Sequence, residues 1–440
     1  MFDVLSDRTY RHLFFAQVIA LLGTGLATVA LGLLAFDLAG ANAGAVLGTA
    51  LAIKMLAYIG VAPIAAAFAE RLPRRAMLVA LDVARAAVAL LLPFVTQIWE
   101  IYVLIFVLQS ASAAFTPTFQ ATIPDVLRDE AAYTKALSLS RLAYDLESLA
   151  SPALAALLLT VVGYPQLFGG TVVGFLASAA LVLSVVLPQA KLPPRRGIWE
   201  RTTRGLRIYL ATPRLRGLLA LNLAMAAGSA MVIVNTVVLV QGTFSLTQNA
   251  TALALAAFGA GSMLVALGLP RLLERLPERR VMLFGGGLIA VGLLLGYAVA
   301  TRYAWLLPLW FVLGLGYSMA QTPAGRLLRR SSHEEDRPAL FAAQFALSHA
   351  CWLVTYPLAG WLGAKAGVEF SFAVLGALGI AAVTVAARLW PNDDPAEIEH
   401  RHQDLPSDHT HIADDGSNVA SAHRHSHVYI VNDQHPRWPS

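Results

Sequence analysis

A chain of 440 residues that is 57% hydrophobic and only 13% charged, with mean hydropathy +0.62, excludes a water-soluble globular protein, whose charged share runs near 25%. The formal charge of +5 hides a split, because residues 391–440 hold nine acids and three arginines (net −6) and residues 1–390 are +11. In a membrane chain that excess marks loops on one side of the bilayer and gives no sign of nucleic-acid binding.

The chain opens polar, from Met1 to Arg11, and its first apolar run is too long for a cleavable signal, so the first helix is expected to stay. Lipid offers backbone groups no partners, so each apolar run of about 20 residues is expected to cross as a helix. Twelve such runs follow, at about 13–36, 42–68, 75–96, 100–121, 133–161, 165–187, 213–241, 247–270, 281–300, 304–325, 338–364 and 370–389. The expected organisation is an N-terminal six-helix half (1–187), a cytoplasmic linker (188–212), a C-terminal six-helix half (213–390) and a disordered tail (391–440). The N-terminus and alternate loops carry about 22 Lys and Arg, whereas the opposite loops carry two, Arg302 and Lys365. By the positive-inside rule both termini are cytoplasmic. The expected localisation is therefore a multi-pass protein of the cell (inner) membrane, in contact with the lipid bilayer.

The loop Glu70-Arg71-Leu72-Pro73-Arg74-Arg75 returns 204 residues later as Glu274-Arg275-Leu276-Pro277-Glu278-Arg279-Arg280. Thr116-Pro117 matches Thr322-Pro323 at nearly the same offset, and Ser151-Pro152 matches Tyr356-Pro357. The fold class expected from this is all-α, with twelve transmembrane helices in two parallel-repeat halves.

The repeated loop resembles the signature of the major facilitator superfamily, roughly Gly-x-x-x-Asp-Arg-x-Gly-Arg-Arg. The matching positions are Ala66, Glu70, Arg71, Pro73, Arg74 and Arg75; the acid is conservative, three basic positions are kept and both glycines are replaced. The resemblance implies a secondary transporter. The run Ser148-Leu149-Ala150-Ser151-Pro152-Ala153-Leu154-Ala155-Ala156 looks like a degraded form of the superfamily's antiporter motif, which marks exporters. Glu70, Arg71, Arg74 and Arg75, with Glu274, Arg275, Arg279 and Arg280, are expected to latch the halves at the cytoplasmic gate by charge-assisted bonds. Plain positive-inside topology is the alternative.

Arg141, Asp145 and Glu147 fall inside the fifth run, with Asp145 about 12 residues from its cytoplasmic end, so about 18 Å deep. Charge at that depth is costly and is kept for function. Arg141 and Asp145 are four apart and can pair on one face, while Glu147 points about 200° away. These residues and His349 in the eleventh run are the expected substrate or proton pathway. The other reading is a structural ion pair and a hydrogen-bonded histidine. Cys351, the single cysteine, excludes an intramolecular disulfide and is expected to point away from His349. Asp82 and Arg85 are expected to be structural, the role of Lys54 is open, and Gln17, Asn222 and Asn235 are candidate cavity residues.

Eight of the eleven histidines lie in 400–440. His400, His402, His409, His411, His423, His425 and His427 fall in i,i+2 sets interleaved with Asp residues, and extended chain points such pairs the same way. Imidazole with carboxylate suits nickel, cobalt, zinc or copper(II). A polar tail that holds histidines without binding metal is the alternative. With the fifth run, this tail looks like that of the Nre-type nickel exporters. The resemblance implies proton-coupled efflux of nickel or cobalt; a drug or siderophore exporter with an incidental tail is the rival, and a metal sensor without flux a third. No catalytic constellation and no Gly-x-x-x-x-Gly-Lys-Ser/Thr loop is found, so neither an enzyme nor a cofactor is expected.

Overall fold

The computed structural model describes residues 2–39, 43–69, 72–188, 197–394, 397–401, 424–431, 435 and 438. The first half is built from α1 (Arg8–Ala39), α2 (Ala43–Ala69), α3 (Arg74–Leu91), α4 (Ile98–Val126), α5 (Glu130–Leu158) and α6 (Tyr164–Leu183). A linker helix α7 (Ile198–Ala211) leads into α8 (Pro213–Val237), α9 (Gln248–Arg275), α10 (Glu278–Val299), α11 (Tyr303–Gln321), the short α12 (Ala324–Arg330), α13 (Arg337–Ala366) and α14 (Val368–Leu389). Among the described residues ten helices are long and apolar enough to cross a membrane. With α2, which holds the apolar stretch Ala52–Ala67, and the more charged 29-residue α5, twelve long helices form two six-helix halves.

Local chemistry sets the boundaries. Pro73 and Pro277 precede α3 and α10, where a missing N–H costs nothing. The Asp129 carboxylate accepts the Ala132 N–H at 2.7 Å and starts α5. Gln97 and Glu100 close a reciprocal capping box at the start of α4. The matched Thr-Pro pairs behave differently: Pro117 sits within continuous α4, whereas Thr322-Pro323 separates α11 from α12.

In the first half α1 packs on α5 and α6, α2 on α4, and α3 on α4 and α6; in the second, α8 packs on α13 and α14, and α11 on α9 and α10. The halves meet where α13 lies on α2 and α4, and where α5 lies on α9. Ala62, Ala66, Ala113, Ala342 and Phe345 form one buried cluster across the first of these seams, mostly small residues that let helices approach and slide. Within the second half α9 and α11 touch backbone to backbone, since a Cβ on Gly314 would fall on the Phe258 carbonyl oxygen and one on Gly261 on that of Phe311. Gly314→Val is therefore expected to lower the melting temperature and the monodisperse yield in detergent, by an overpacking cost of about 1–3 kcal/mol. Gly268→Ala, at a glycine with open space around it, is expected to leave both unchanged.

The two repeated loops gather at one end of the bundle, called here the basic end. Arg75 donates to the Leu183 carbonyl at the end of α6, and 204 residues on Arg279 donates to the Ala387 carbonyl at 2.9 Å at the end of α14. Each arginine thus satisfies a helix C-terminus in its own half, where positive charge also complements the dipole. Lys135 donates to Asp3 at 2.7 Å, which ties the N-terminal turn to α5 and holds the Asp3 carboxyl down at about 2.

Two segments outside the spanning helices carry regular structure. The linker contains a 14-residue helix whose Arg204, Ile208 and Tyr209 are buried. The tail was expected to lack fixed structure, but β1 (Glu397–Arg401) and β2 (Arg424–Val428) pair antiparallel, with His400 opposite His425. Tyr429, Val431 and His435 are buried, and the Trp438 ring lies 5.0 Å from the Arg214 guanidinium. Side chains of sufficient apolar area, absent from the acidic stretch before them, give this last segment something to bury.

Candidate transport site and gate

Charged and aromatic side chains from both halves converge between the seams. On α5 Arg141 and Asp145 form the i,i+4 ion pair, and the Arg141 guanidinium also lies 5.0 Å from the Tyr317 ring of α11, in the opposite half. Asp145 is 2% exposed. Two residues further along α5, on the other side of the helix, Glu147 accepts from the Ser151 hydroxyl at 3.4 Å and lies close beneath Gly25 of α1. The Lys54 ammonium of α2 acts electrostatically on both Glu147 and His349. Ser140 donates to Gln17 of α1 at 3.1 Å.

His349 belongs to an aromatic cluster. Its ring centroid lies 4.7 Å from Tyr58 of α2, 4.2 Å from Phe345 and 6.0 Å from Trp352, which in turn meets Tyr356. The His349 Nδ1–H donates to the Phe345 carbonyl at 2.7 Å, which fixes the tautomer and leaves Nε2 as the acceptor. A histidine oriented this way can take a proton or a metal ion on Nε2. The sequence readings of Arg141, Asp145, Glu147 and His349 thus fall on one inter-half region, joined by Lys54, Tyr58 and Tyr317, which sequence reasoning left open or passed over. Among the described residues no group of three or more His, Cys, Asp or Glu is assembled to hold a metal ion.

The remaining buried charges are placed elsewhere. Asp82 pairs with Arg85 and accepts from Ser178 at 2.8 Å, and the Arg85 guanidinium stacks 4.0 Å from Phe115 and 4.5 Å from Phe175. All five residues belong to the first half. Asn235 donates to the Ala359 carbonyl at 3.3 Å and so fastens α8 to α13, while Asn222 donates to Gln344 at 3.3 Å.

At the basic end the halves are held by carboxylates of the first half. Asp125, at the end of α4, pairs with Arg74 of its own half through one oxygen and with Arg337 of the opposite half through the other. Glu130 pairs with Arg326 of α12, which also reaches Glu278 at 3.0 Å. Arg329 donates to the Arg128 carbonyl. Among the described residues both ion pairs that cross between the halves lie at this end. Of the expected gate residues, Arg74 takes part through Asp125, whereas Arg75 and Arg279 bind within their own halves. Glu274 and Arg275, in the last turn of α9, and Arg280, in the first turn of α10, are exposed. Glu70 and Arg71 lie outside the described residues, as do His402, His409, His411 and His423. His400, His425 and His427 lie on the β1–β2 ladder. The ion network also reaches the start of the tail, because Asp394 pairs with Arg330 and, at 3.0 Å, with Arg214.

Two six-helix halves closed at one end by cross-half ion pairs, around a polar and aromatic centre, define a multi-pass membrane transporter. The Major Facilitator Superfamily model matches residues 13–232 and 218–421, and the chain belongs to that superfamily. It is similar to the uncharacterized MFS-type transporter YvqJ of Bacillus subtilis (strain 168), 24% identical over 374 residues, 79% of this chain and 84% of that protein. Two solved structures share the fold. The human organic anion transporter MFSD10 (TETRAN) matches at TM-score 0.75 and 12% identity, over 86% of this chain and 99% of that one. A bacterial homologue of the iron transporter ferroportin, in an outward-facing state, matches at TM-score 0.73 and 14% identity, over 87% and 99%. These are transporters, and the chain is a transporter, not an enzyme.

Proposed function

We propose that the protein is a secondary active exporter of a divalent transition metal, nickel or cobalt first, driven by protons and working by alternating access. The basic end, with both termini, lies in the cytoplasm by the loop charges. The observation that carries the metal reading is the register of the tail. It sets His400 opposite His425, 25 positions apart in sequence, and His427 two further along the same strand. Three histidines therefore belong to one two-stranded ladder, at the end of the bundle from which an exporter draws its cargo. Imidazole donors suit nickel, cobalt, zinc and copper. The fold shared with a homologue of an iron transporter supports a metal cargo.

In this reading the closed basic end is the outward-facing state. Protons entering from outside meet Glu147 and His349, and the Arg141–Asp145 pair and its Tyr317 contact are remade as the halves rock. The test is the nickel and cobalt content of cells producing the full chain or its His400→Ala/His425→Ala/His427→Ala variant. The full chain is expected to lower metal content severalfold, and the variant to do so only at higher external metal. Unchanged metal content with the protein abundant in the membrane would sink the metal reading.

One observation favours a second reading. The centre is lined by Tyr58, Phe345, His349, Trp352 and Tyr356 beside the Lys54 ammonium, with no ready metal cluster among the described residues. Rings and a cation suit an amphipathic organic solute such as a drug or a siderophore, and an organic anion transporter shares the fold. Efflux of such compounds without any change in cell metal would establish it.

A further inference from the structure

The linker helix α7 has two faces of opposite kind. Arg204, Gly205, Ile208 and Tyr209 are buried against α13 and α2, one helix from each half. Arg204 makes a two-bond pair with Asp336, at 2.6 and 3.0 Å. The Tyr209 hydroxyl donates to Gln344 at 2.5 Å, and a Cβ on Gly205 would fall on the Ala339 carbonyl oxygen, so the helix is pressed onto α13.

The opposite face carries Trp199, Leu206 and Leu210, which are 76%, 38% and 46% exposed. Their i, i+7, i+11 spacing places them within about 40° of one another around the helix. A helix facing water would place polar groups there. The flank holds exposed Arg207 and, two turns earlier, Glu200. α7 ends at Ala211, and the membrane-spanning segment Pro213–Thr243 starts two residues later, so the helix lies at the bilayer boundary by connectivity alone. The linker 188–212 carries six basic residues and one acid.

We propose that this outer face is a membrane-docking surface seated at the headgroup–acyl boundary, taking anionic phospholipid of the leaflet at the basic end. An aromatic and aliphatic stripe enters the acyl boundary, and Arg207 and the basic linker meet the negative headgroups. The same helix grips both halves with its inner face, so lipid holds the strap against the α2–α13 seam. The inference does not depend on the cargo.

The test uses the full chain in a Cys351→Ser background, with a nitroxide introduced singly through Leu206→Cys, Leu210→Cys or, as a water reference at an exposed position, Ser6→Cys. Each is reconstituted in phosphatidylcholine vesicles with and without phosphatidylglycerol. Collision rates are measured with oxygen, which partitions into lipid, and with chromium oxalate, which stays in water. At 206 and 210 the oxygen-to-chromium ratio is expected to exceed the Ser6 value severalfold and to rise with phosphatidylglycerol, and Arg207→Gln is expected to reduce that rise. A ratio equal to that of Ser6, shielding from both reagents (a protein covers the face), or indifference to phosphatidylglycerol would each overturn the proposal.

Discussion

Arg337→Gln is expected to open the basic end, and Arg74→Gln to do so far less. Both guanidiniums bind the same carboxylate, Asp125, but only Arg337 belongs to the opposite half. The Asp125–Arg337 pair is nearly enclosed, with side chains 9% and 11% exposed. Losing a hydrogen bond between charged groups in such a place costs about 1.5–3 kcal/mol, a ~10- to 150-fold shift toward the open state. The second crossing pair, Glu130–Arg326, has a carboxylate 62% exposed and contributes about 0–1 kcal/mol, too little to hold the end closed alone. Spin labels on Arg128 in the first half and Leu276 in the second report the separation directly. Equal opening in both variants would mean that Asp125 stabilises the loop region at large and does not act as a latch between halves. No opening in either would remove the latch altogether.

The latch shows what the sequence could and could not disclose. The repeat, the apolar runs and the charge asymmetry specify two six-helix halves, because each is a long-range average over many residues. The loop arginines Arg75 and Arg279 were legible as a pair, yet their partners are backbone carbonyls, which have no letter in the sequence. Asp125 was passed over because it ends an apolar run and its partner is 212 residues away. A local signal was present all the same. Asp125 sits in the last turn of α4, and Arg337 opens α13, and each charge opposes the dipole of its own helix. Charges placed against their helix ends need partners from elsewhere. The helix within the linker is hidden for a related reason, since the inner face of α7 buries an arginine whose partner, Asp336, is 132 residues away. Tyr317 and Lys54 carry no motif: packing of the halves brings Tyr317 to Arg141, and packing within the first half brings Lys54 towards Glu147.

The two buried acid–base pairs, alike on paper, are expected to fail in opposite ways. Asp82–Arg85 is closed within the first half, where Ser178, Phe115 and Phe175 complete it. Asp82→Asn leaves a guanidinium that is 5% exposed without its counter-charge. Breaking one side of such a pair costs about 3–5 kcal/mol, a large share of the roughly 5–15 kcal/mol that holds a typical domain. The expected result is a lower melting temperature and little protein in the membrane, with transport per folded molecule nearly intact. Arg141–Asp145 instead abuts Tyr317 of the opposite half, so its surroundings change whenever the halves separate. A bond worth about 1.5–3 kcal/mol in one state and less in another sets the balance between them. Asp145→Asn is therefore expected to reach the membrane at near-normal levels and to slow transport ~10-fold or more. The measurement is flux per molecule in vesicles beside thermal stability of the same preparations. Were Asp145→Asn to lose stability as Asp82→Asn does while keeping its flux, both pairs would be structural, and the pathway would rest on Glu147 and His349.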